Sequence, residues 1–159
     1  MKTLALALSV LASMTASAAP AQGRRVVDVF TMGDARSEHE HDYAAERVIE
    51  GVADGRVFRQ ADGWLRVTLT VYDDTEVTLV ATFRGSAGVA GTFELLVDGR
   101  PIKVPAFVSP SGVPARAEYL LPMELTRGKT RISVTLRATS GPTPGLMELR
   151  TVQEHLELW

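Results

Sequence analysis

The 159-residue sequence contains no cysteine, few aromatic residues and no excess of either charge. Without cysteine, the chain can form neither a disulfide framework nor a thiol nucleophile. The formal net charge is −2 and no long block carries one sign, which argues against nucleic acid and anionic membranes as partners because both bind basic surfaces. Aromatic residues make up only 6%, which argues against a broad stacking platform. No phosphate loop, dinucleotide fingerprint or Gly-x-Ser-x-Gly elbow is present, so no cofactor is expected.

The N-terminus has the pattern of a secretory signal peptide. Lys2 precedes an apolar run from Leu4 to Ala12, and Ala16-Ser17-Ala18 is a small-x-small cleavage site. The run is too short to span a membrane. Export without cysteine favours a secreted or periplasmic protein of a bacterium. The expected organisation is a signal peptide (1–18), a flexible leader (19–25), one folded domain (26–152) and a C-terminal tail (153–159).

Short segments that alternate apolar and polar residues fill the expected domain. The clearest is 64–71, which places Leu65, Val67, Leu69 and Val71 on one face, as in a half-buried strand. It is expected to pair with the similar segment 76–84. Eight or so strands with frequent turns and little helix predict an all-β fold, an antiparallel β-sandwich of the jelly-roll type. The predicted strands are 26–32, 64–71, 76–84, 92–97, 100–104, 116–121, 130–139 and 146–152.

Turns and breaks between these segments can also be predicted. Asp98-Gly99 lies between two apolar runs and favours a type I′ hairpin turn, which needs positive φ at both central residues. Pro101 lacks a backbone donor, so its strand should lie at a sheet edge. Ala44 to Ile49 is expected to be a helical turn or an irregular loop, because it shows little apolar periodicity.

The stretch from Gly33 to Trp64 gathers two of the three histidines and a dense run of carboxylates. If 37–42 is extended, His39 and His41 share one face, and with a third ligand elsewhere they could bind zinc. The simpler interpretation is a polar segment in which one histidine is hydrogen-bonded. We therefore expect no metal, with these two histidines as weak candidates.

Carboxylates in the same stretch could form a hydrolytic pair. Glu38 with Glu46 or Asp62 could supply the acid and the base of a glycosidase. Carboxylates are common in a chain with 19 acidic residues, and no catalytic motif surrounds these three. The sequence therefore predicts a protein that is not an enzyme and has no catalytic residues.

Aromatic and basic residues offer other candidate contacts. Trp64 could stack on a sugar, although covering the end of the core is the favoured alternative. Arg59 could bond a sugar hydroxyl or pair with Glu38 or Asp62. Tyr43 and Tyr72 lie in predicted loops and are candidates for stacking.

An ordered set of residues resembles a known family. It runs through Gly33-Asp34, Ser37-Glu38-x-x-His41, Arg59-x-Ala61-x-Gly63-Trp64, Phe93-x-x-x-Val97-Asp98-Gly99-x-x-Ile102 and Glu124-Leu125-Thr126-x-Gly128-Lys129. Over Val26 to Val152 the chain resembles the galactose-binding-like accessory module at the C-terminus of β-L-arabinofuranosidase-type glycoside hydrolases. The resemblance implies a non-catalytic β-sandwich, whereas catalysis in that family belongs to a separate helical barrel.

Within this pattern, six residues form a candidate signature for ligand binding or for the fold: Asp34, Ser37, Glu38, His41, Arg59 and Trp64. The expected function is a non-catalytic exported accessory module that binds a glycan. The alternative is a module that docks onto another secreted protein, for example through Leu156 and Trp159. A small glycoside hydrolase is the third hypothesis.

Overall fold

The computed structural model describes residues 23–72, 75–85, 92–104 and 113–155. Nine strands lie in these ranges: β1 (Gly23–Thr31), β2 (Ala44–Ala53), β3 (Arg56–Thr70), β4 (Val77–Phe83), β5 (Thr92–Val97), β6 (Arg100–Ile102), β7 (Ala115–Leu121), β8 (Arg131–Ser140) and β9 (Leu146–His155). Two short helices accompany them, α1 (Ala35–Glu40) and α2 (Met123–Thr126). Neither helix has the length and hydropathy needed to cross a membrane. The predicted signal peptide and the apolar residues Leu156 and Trp159 lie outside the described residues.

The strands form two antiparallel layers. One layer has the order β2-β3-β8-β5-β6, and the other has the order β1-β9-β4-β7. A single pairing of Arg59 in β3 with Leu146 in β9 connects the layers, because β3 is 15 residues long and reaches from one to the other. The predicted antiparallel jelly-roll β-sandwich is confirmed.

The core lies between the inward faces of the two layers. Leu65, Val67, Leu69 and Val71 are each fully buried, as their alternation predicts. The inward residues of β4 and β8 are buried in the same cluster. Each large side chain contributes roughly 1.5–3 kcal/mol on burial, so this cluster outweighs any single surface ion pair.

The hairpin between β5 and β6 has the predicted turn. Asp98 and Gly99 have φ values of 48° and 78°, and Val97 pairs with Arg100 across them. Both central residues are therefore left-handed, as a type I′ turn requires. Pro101 is exposed in the edge strand β6, which confirms its predicted position.

The prediction of a helical turn or loop at Ala44–Ile49 is wrong, because these residues begin strand β2. This strand lies at the edge of its layer and is mostly exposed, so burial does not impose an alternating pattern on its sequence. A second Asp-Gly turn closes its hairpin with β3, since Asp54 and Gly55 have φ values of 54° and 71°. The strand β3 consequently starts at Arg56, eight residues before Trp64.

The predicted pairing of 64–71 with 76–84 is also wrong. The strand β3 pairs with β2 and β8, whereas β4 pairs with β7 and β9 in the other layer. The connection after β3 therefore crosses from one layer to the other. Alternation reports which face of a strand is buried, but it does not identify the neighbouring strand.

Candidate functional site

The polar residues after β1 are organised by the short helix α1. Asp34 is its N-cap, and its carboxylate accepts hydrogen bonds from the backbone N–H groups of Arg36 (2.9 Å) and Ser37 (3.2 Å). The spacing Asp34, Ser37, Glu38, His41 follows a helical period and places all four on one side. The assumption that 37–42 is extended is therefore wrong, and the faces predicted from it do not exist.

His41 is buried, and both of its ring nitrogens have protein partners. Nδ1 lies 2.6 Å from the carbonyl oxygen of Ser37, and Nε2 lies 3.0 Å from Oδ1 of Asp28. Oxygen atoms of this chain therefore engage both ring nitrogens, so neither nitrogen is free to bind a metal. His39 is exposed on α1, and no group of potential metal ligands occurs among the described residues.

Asp28 is a site residue that the sequence prediction missed. Its Oδ2 accepts from the N–H of Thr70 (2.7 Å), and its Oδ1 accepts from the N–H of Val29 (2.9 Å) as well as from His41. Burial raises the pKa of this carboxyl, but these hydrogen bonds and the positive charge of His41 outweigh burial and hold the pKa below its usual range. An acidic residue among the β-branched residues of β1 was the signal available in the sequence.

Arg59 connects α1 to strand β3. Its guanidinium donates to Oε1 of Glu38 at 2.7 Å and to Oε2 of Glu50 at 2.8 Å, and Glu38 also accepts from the N–H of Gly33 at 2.8 Å. Of the two partners predicted for Arg59, the structure therefore shows Glu38. The side chains of Arg59 and Glu38 are only 16% and 20% exposed. This arrangement satisfies both charges internally, which is typical of a structural ion pair.

Tyr43 completes this corner of the fold. Its ring stacks on Phe30 with centroids 5.9 Å apart, and the Arg59 guanidinium lies 5.0 Å from its centroid. The Tyr43 hydroxyl is buried without a hydrogen-bond partner among the described residues, and burial raises the pKa of this phenol. Phe30 and Arg59 therefore already contact this ring, which argues against the predicted stacking on a sugar. Tyr72, by contrast, is 47% exposed.

Trp64 lies in the middle of β3, on the outer face of its layer. The expectation that it covers the end of the core is therefore wrong, since its neighbour Leu65 faces the core. Its Nε1 donates to Oε2 of Glu46 at 3.0 Å, and the guanidinium of Arg66 lies 5.4 Å from its ring centroid. Trp64 is half-buried by these polar neighbours.

Two of the three carboxylates considered for hydrolysis are held by other residues of the chain. Glu38 is held by Arg59 and Gly33, and Glu46 accepts from Trp64 and from Arg47. Asp62 is exposed on β3. A general acid or base needs an oxygen available to the substrate, and Glu38 has its charge already compensated.

A site that the sequence did not predict lies on the outer face of the other layer. It is an open cleft of about 540 Å³, and we call it the arginine cleft. Its polar lining residues are Thr31, Arg56, Thr82, Arg116, Glu148 and Arg150. These come from five separate strands, so no local motif marks them.

The strand register explains how the cleft forms. Thr31 in β1 pairs with Glu148 in β9, Glu148 pairs with Thr82 in β4, and Thr82 pairs with Arg116 in β7. These four side chains therefore form one row across the outer face of the layer. Arg150 is two residues beyond Glu148 on the same face of β9.

Among the described residues of the lining, Glu148 is the one that is acidic. It accepts from Arg150 and, at 3.4 Å, from Arg56. Its side chain is 12% exposed, whereas those of Arg56 and Arg150 are 38% and 37% exposed. Arg116 is exposed and has no ion-pair partner among the described residues. Three positive charges against one negative charge leave the cleft electropositive.

A smaller cleft of about 350 Å³ lies between β6 and the segment before and within α2. Arg100 and Lys103 line one side, and Leu120 and Glu124 lie on the other. Apolar and charged groups alternate around it. It lacks the row of polar groups across strands that defines the arginine cleft.

The chain has the same fold as several carbohydrate-binding modules of known structure. It is similar to a family 35 carbohydrate binding module from an environmental isolate (TM-score 0.58, 13% identity, 80% of this chain, 96% of the other). It is also similar to a family 35 module from Clostridium thermocellum (TM-score 0.53, 14% identity, 81% and 97%). An exo-beta-1,3-galactanase from Phanerochaete chrysosporium, determined with galactose, matches over 28% of its own length and 77% of this chain (TM-score 0.55, 11% identity).

These low identities establish a shared fold and no more. The sequence itself assigns the chain to a family. Residues 23–152 match the family model described as a family of unknown function (DUF6805), and the chain belongs to that family. No curated protein matches the chain.

Proposed function

We propose that this protein is a non-catalytic carbohydrate-binding module and that the arginine cleft is its binding site. The observation that carries the proposal is a cleft of about 540 Å³ whose lining is built from hydrogen-bonding side chains on paired strands. This volume falls within the range of small-ligand sites. The fold shared with carbohydrate-binding modules supports the same conclusion.

The chemistry of the lining suits a saccharide. Sugar hydroxyls both donate and accept hydrogen bonds, and the cleft offers guanidinium donors, threonine hydroxyls and one carboxylate. Strands fix the backbone positions of these residues, and Glu148 orients the guanidinium groups of Arg56 and Arg150 before a ligand binds. The described lining contains no aromatic residue, so polar contacts should dominate the affinity. Trp64 and Arg66, on the opposite outer face, offer a second and flatter contact surface.

The broader role that we propose is an accessory function in the handling of polysaccharides outside the cytoplasm. The predicted signal peptide supports export, and the ordered residues shared with accessory modules of β-L-arabinofuranosidase-type hydrolases support a role beside a catalytic partner. In this role the module holds an enzyme or a surface close to its polymer. The chemistry itself takes place elsewhere.

A glycan-array screen of residues 19–159 tests the proposal. We expect binding to a set of related glycans, and we expect Arg116→Gln to weaken it. Trp64→Ala serves as the matched test of the opposite face. A loss of binding only in Trp64→Ala would move the site to that face, and an array without any binding would overturn the proposed function.

A second candidate function is docking onto another secreted protein. The edge strand β2 exposes Val48, Ile49 and Val52, which are 38%, 56% and 70% accessible. An unpaired strand edge with apolar side chains is a ready surface for pairing with another chain. A copurifying partner that is released by Ile49→Lys would favour this function over glycan binding.

A further inference from the structure

We propose that the arginine cleft selects saccharides that carry an anionic group, either a carboxylate or a sulfate ester. This inference rests on the proposed function and names the class of ligand for the same site. It follows from the balance of charge in the cleft and from the position of its unpaired arginine. Both observations are independent of the similarity to other proteins.

The first observation is the charge that remains after internal pairing. The side chain of Glu148 is 12% exposed and forms ion pairs with both Arg56 and Arg150. Its negative charge is therefore already compensated within the protein. The two arginines keep N–H groups that Glu148 does not use, because a guanidinium has five donors. Arg116 contributes a further positive charge. A neutral saccharide could accept hydrogen bonds from these arginines, but it would not compensate their excess positive charge.

The second observation is the placement of Arg116. It lies opposite Thr82 on β7, while Arg150 lies opposite Val80 on the other side of β4. The two arginines therefore stand on the same outer face, two strands apart, and both line the cleft. The nearest acidic residue along β7 is Glu118, and Arg24 contacts it at 3.5 Å. Arg116 is consequently available to a ligand.

The chemistry of arginine narrows the ligand further. A guanidinium presents parallel donors that match the paired oxygens of a carboxylate or a sulfate, and such charge-assisted bonds are shorter and stronger than neutral ones. Thr31 and Thr82 lie in the same row and can bond the neighbouring hydroxyls of the sugar. An anionic group held between Arg116 and Arg150 would thus fix the orientation of the saccharide.

The experiment compares two matched pairs of polymers by isothermal titration calorimetry with the mature full chain. Polygalacturonate is paired with its methyl ester, and dextran sulfate is paired with dextran, so each pair differs only in the anionic group. We expect at least one charged polymer to bind tenfold or more tightly than its uncharged counterpart. The pair that shows this difference identifies the group as a carboxylate or a sulfate. The preference should decrease as salt is added.

Three variants distinguish specific binding in the arginine cleft from non-specific attraction of a polyanion to the protein surface. Arg116→Gln removes an arginine that has no ion-pair partner among the described residues, so it should keep the fold and lose about tenfold in affinity. Arg150→Gln should also lose affinity, but it disturbs Glu148 as well. Arg127→Gln, an exposed arginine beside α2, is the matched control and should change affinity less than twofold.

Each outcome separates this inference from the proposed function. Equal binding of charged and uncharged polymers would overturn the anionic preference and leave carbohydrate binding intact. Equal losses in Arg116→Gln and Arg127→Gln would also overturn it, since attraction would then not depend on the cleft. No binding to any of the four polymers, with glycans bound on the array, overturns only this inference. An absence of binding both on the glycan array and in calorimetry would overturn the proposed function as well as the anionic preference.

Discussion

The imidazole of His41 lies 3.0 Å from the carboxylate of Asp28, and this contact ties the first strand to the first helix. The other carboxylate oxygen of Asp28 accepts from Thr70 in β3, while the carbonyl of His41 accepts from Thr68 at 2.8 Å. One buried ion pair therefore connects β1, α1 and β3. The candidate signature residues around it contribute to the fold at this corner.

Replacing His41 with alanine should strongly destabilise the protein. The variant leaves the Asp28 carboxylate partly buried without its imidazole partner and removes the contact of the imidazole with the carbonyl of Ser37. Loss of one partner of a buried pair costs about 3 kcal/mol in the free energy of unfolding, which urea denaturation measures. His39→Ala, at an exposed position of α1, is the control and should change stability by less than about 0.5 kcal/mol. Similar effects of both variants would contradict the structural role of His41.

Stability should fall in acid partly because of Asp28. The pKa of this carboxyl in the folded protein lies below its ordinary value of 3.8, because hydrogen bonds and the charge of His41 outweigh the effect of burial. A lowered folded pKa contributes stability that is present above pH 3.8 and is lost as the pH falls through the folded pKa. Urea denaturation between pH 2 and pH 5 should therefore show a decline that is shallower in Asp28→Asn. Parallel profiles for the two proteins would exclude this contribution.

The pair between Glu38 and Arg59 should be coupled more strongly than an exposed pair nearby. A double-mutant cycle with Glu38→Gln and Arg59→Gln should give a coupling energy of about 1–2 kcal/mol, because the two side chains are 20% and 16% exposed. The same cycle on Arg36 and Glu40, which are 86% and 52% exposed, should give at most about 0.5 kcal/mol. Equal coupling energies would contradict the partial burial of the first pair.

The inward faces of the central strands could be predicted because the core imposes a period of two on their sequence. Leu65, Val67 and Leu69 are buried for this reason. The strand β2 escaped prediction because most of its residues contact solvent on either face, and β-propensity is weak without packing. The turn at Asp54-Gly55 could nevertheless have been predicted from the sequence, since it has the same two residues as the turn at Asp98-Gly99. Both turns have positive φ values at both positions.

The polar corner around α1 and the arginine cleft also differ in how far the sequence predicts them. The residues Asp34, Ser37, Glu38 and His41 are close in sequence, and their spacing reflects one helical face, so the sequence could group them. The arginine cleft joins segments that are distant in sequence, and only the pairing of β9 with β1 and β4 brings them together. Because alternation does not specify strand partners, no local pattern could have predicted this cleft.

Gly63 should tolerate no side chain, because the backbone of β2 approaches it closely. A Cβ at this position would lie 2.6 Å from the carbonyl oxygen of Glu46, at the irregularity where Arg47 adopts a φ of 51°. Gly63→Ala must displace this backbone, so we expect a loss of about 1–3 kcal/mol in the free energy of unfolding. The bond from Trp64 to Glu46 should weaken with it, which near-ultraviolet circular dichroism can detect. Gly23→Ala, where a Cβ would meet no atom within 4 Å, is the control, and equal stability of the two variants would contradict the close approach.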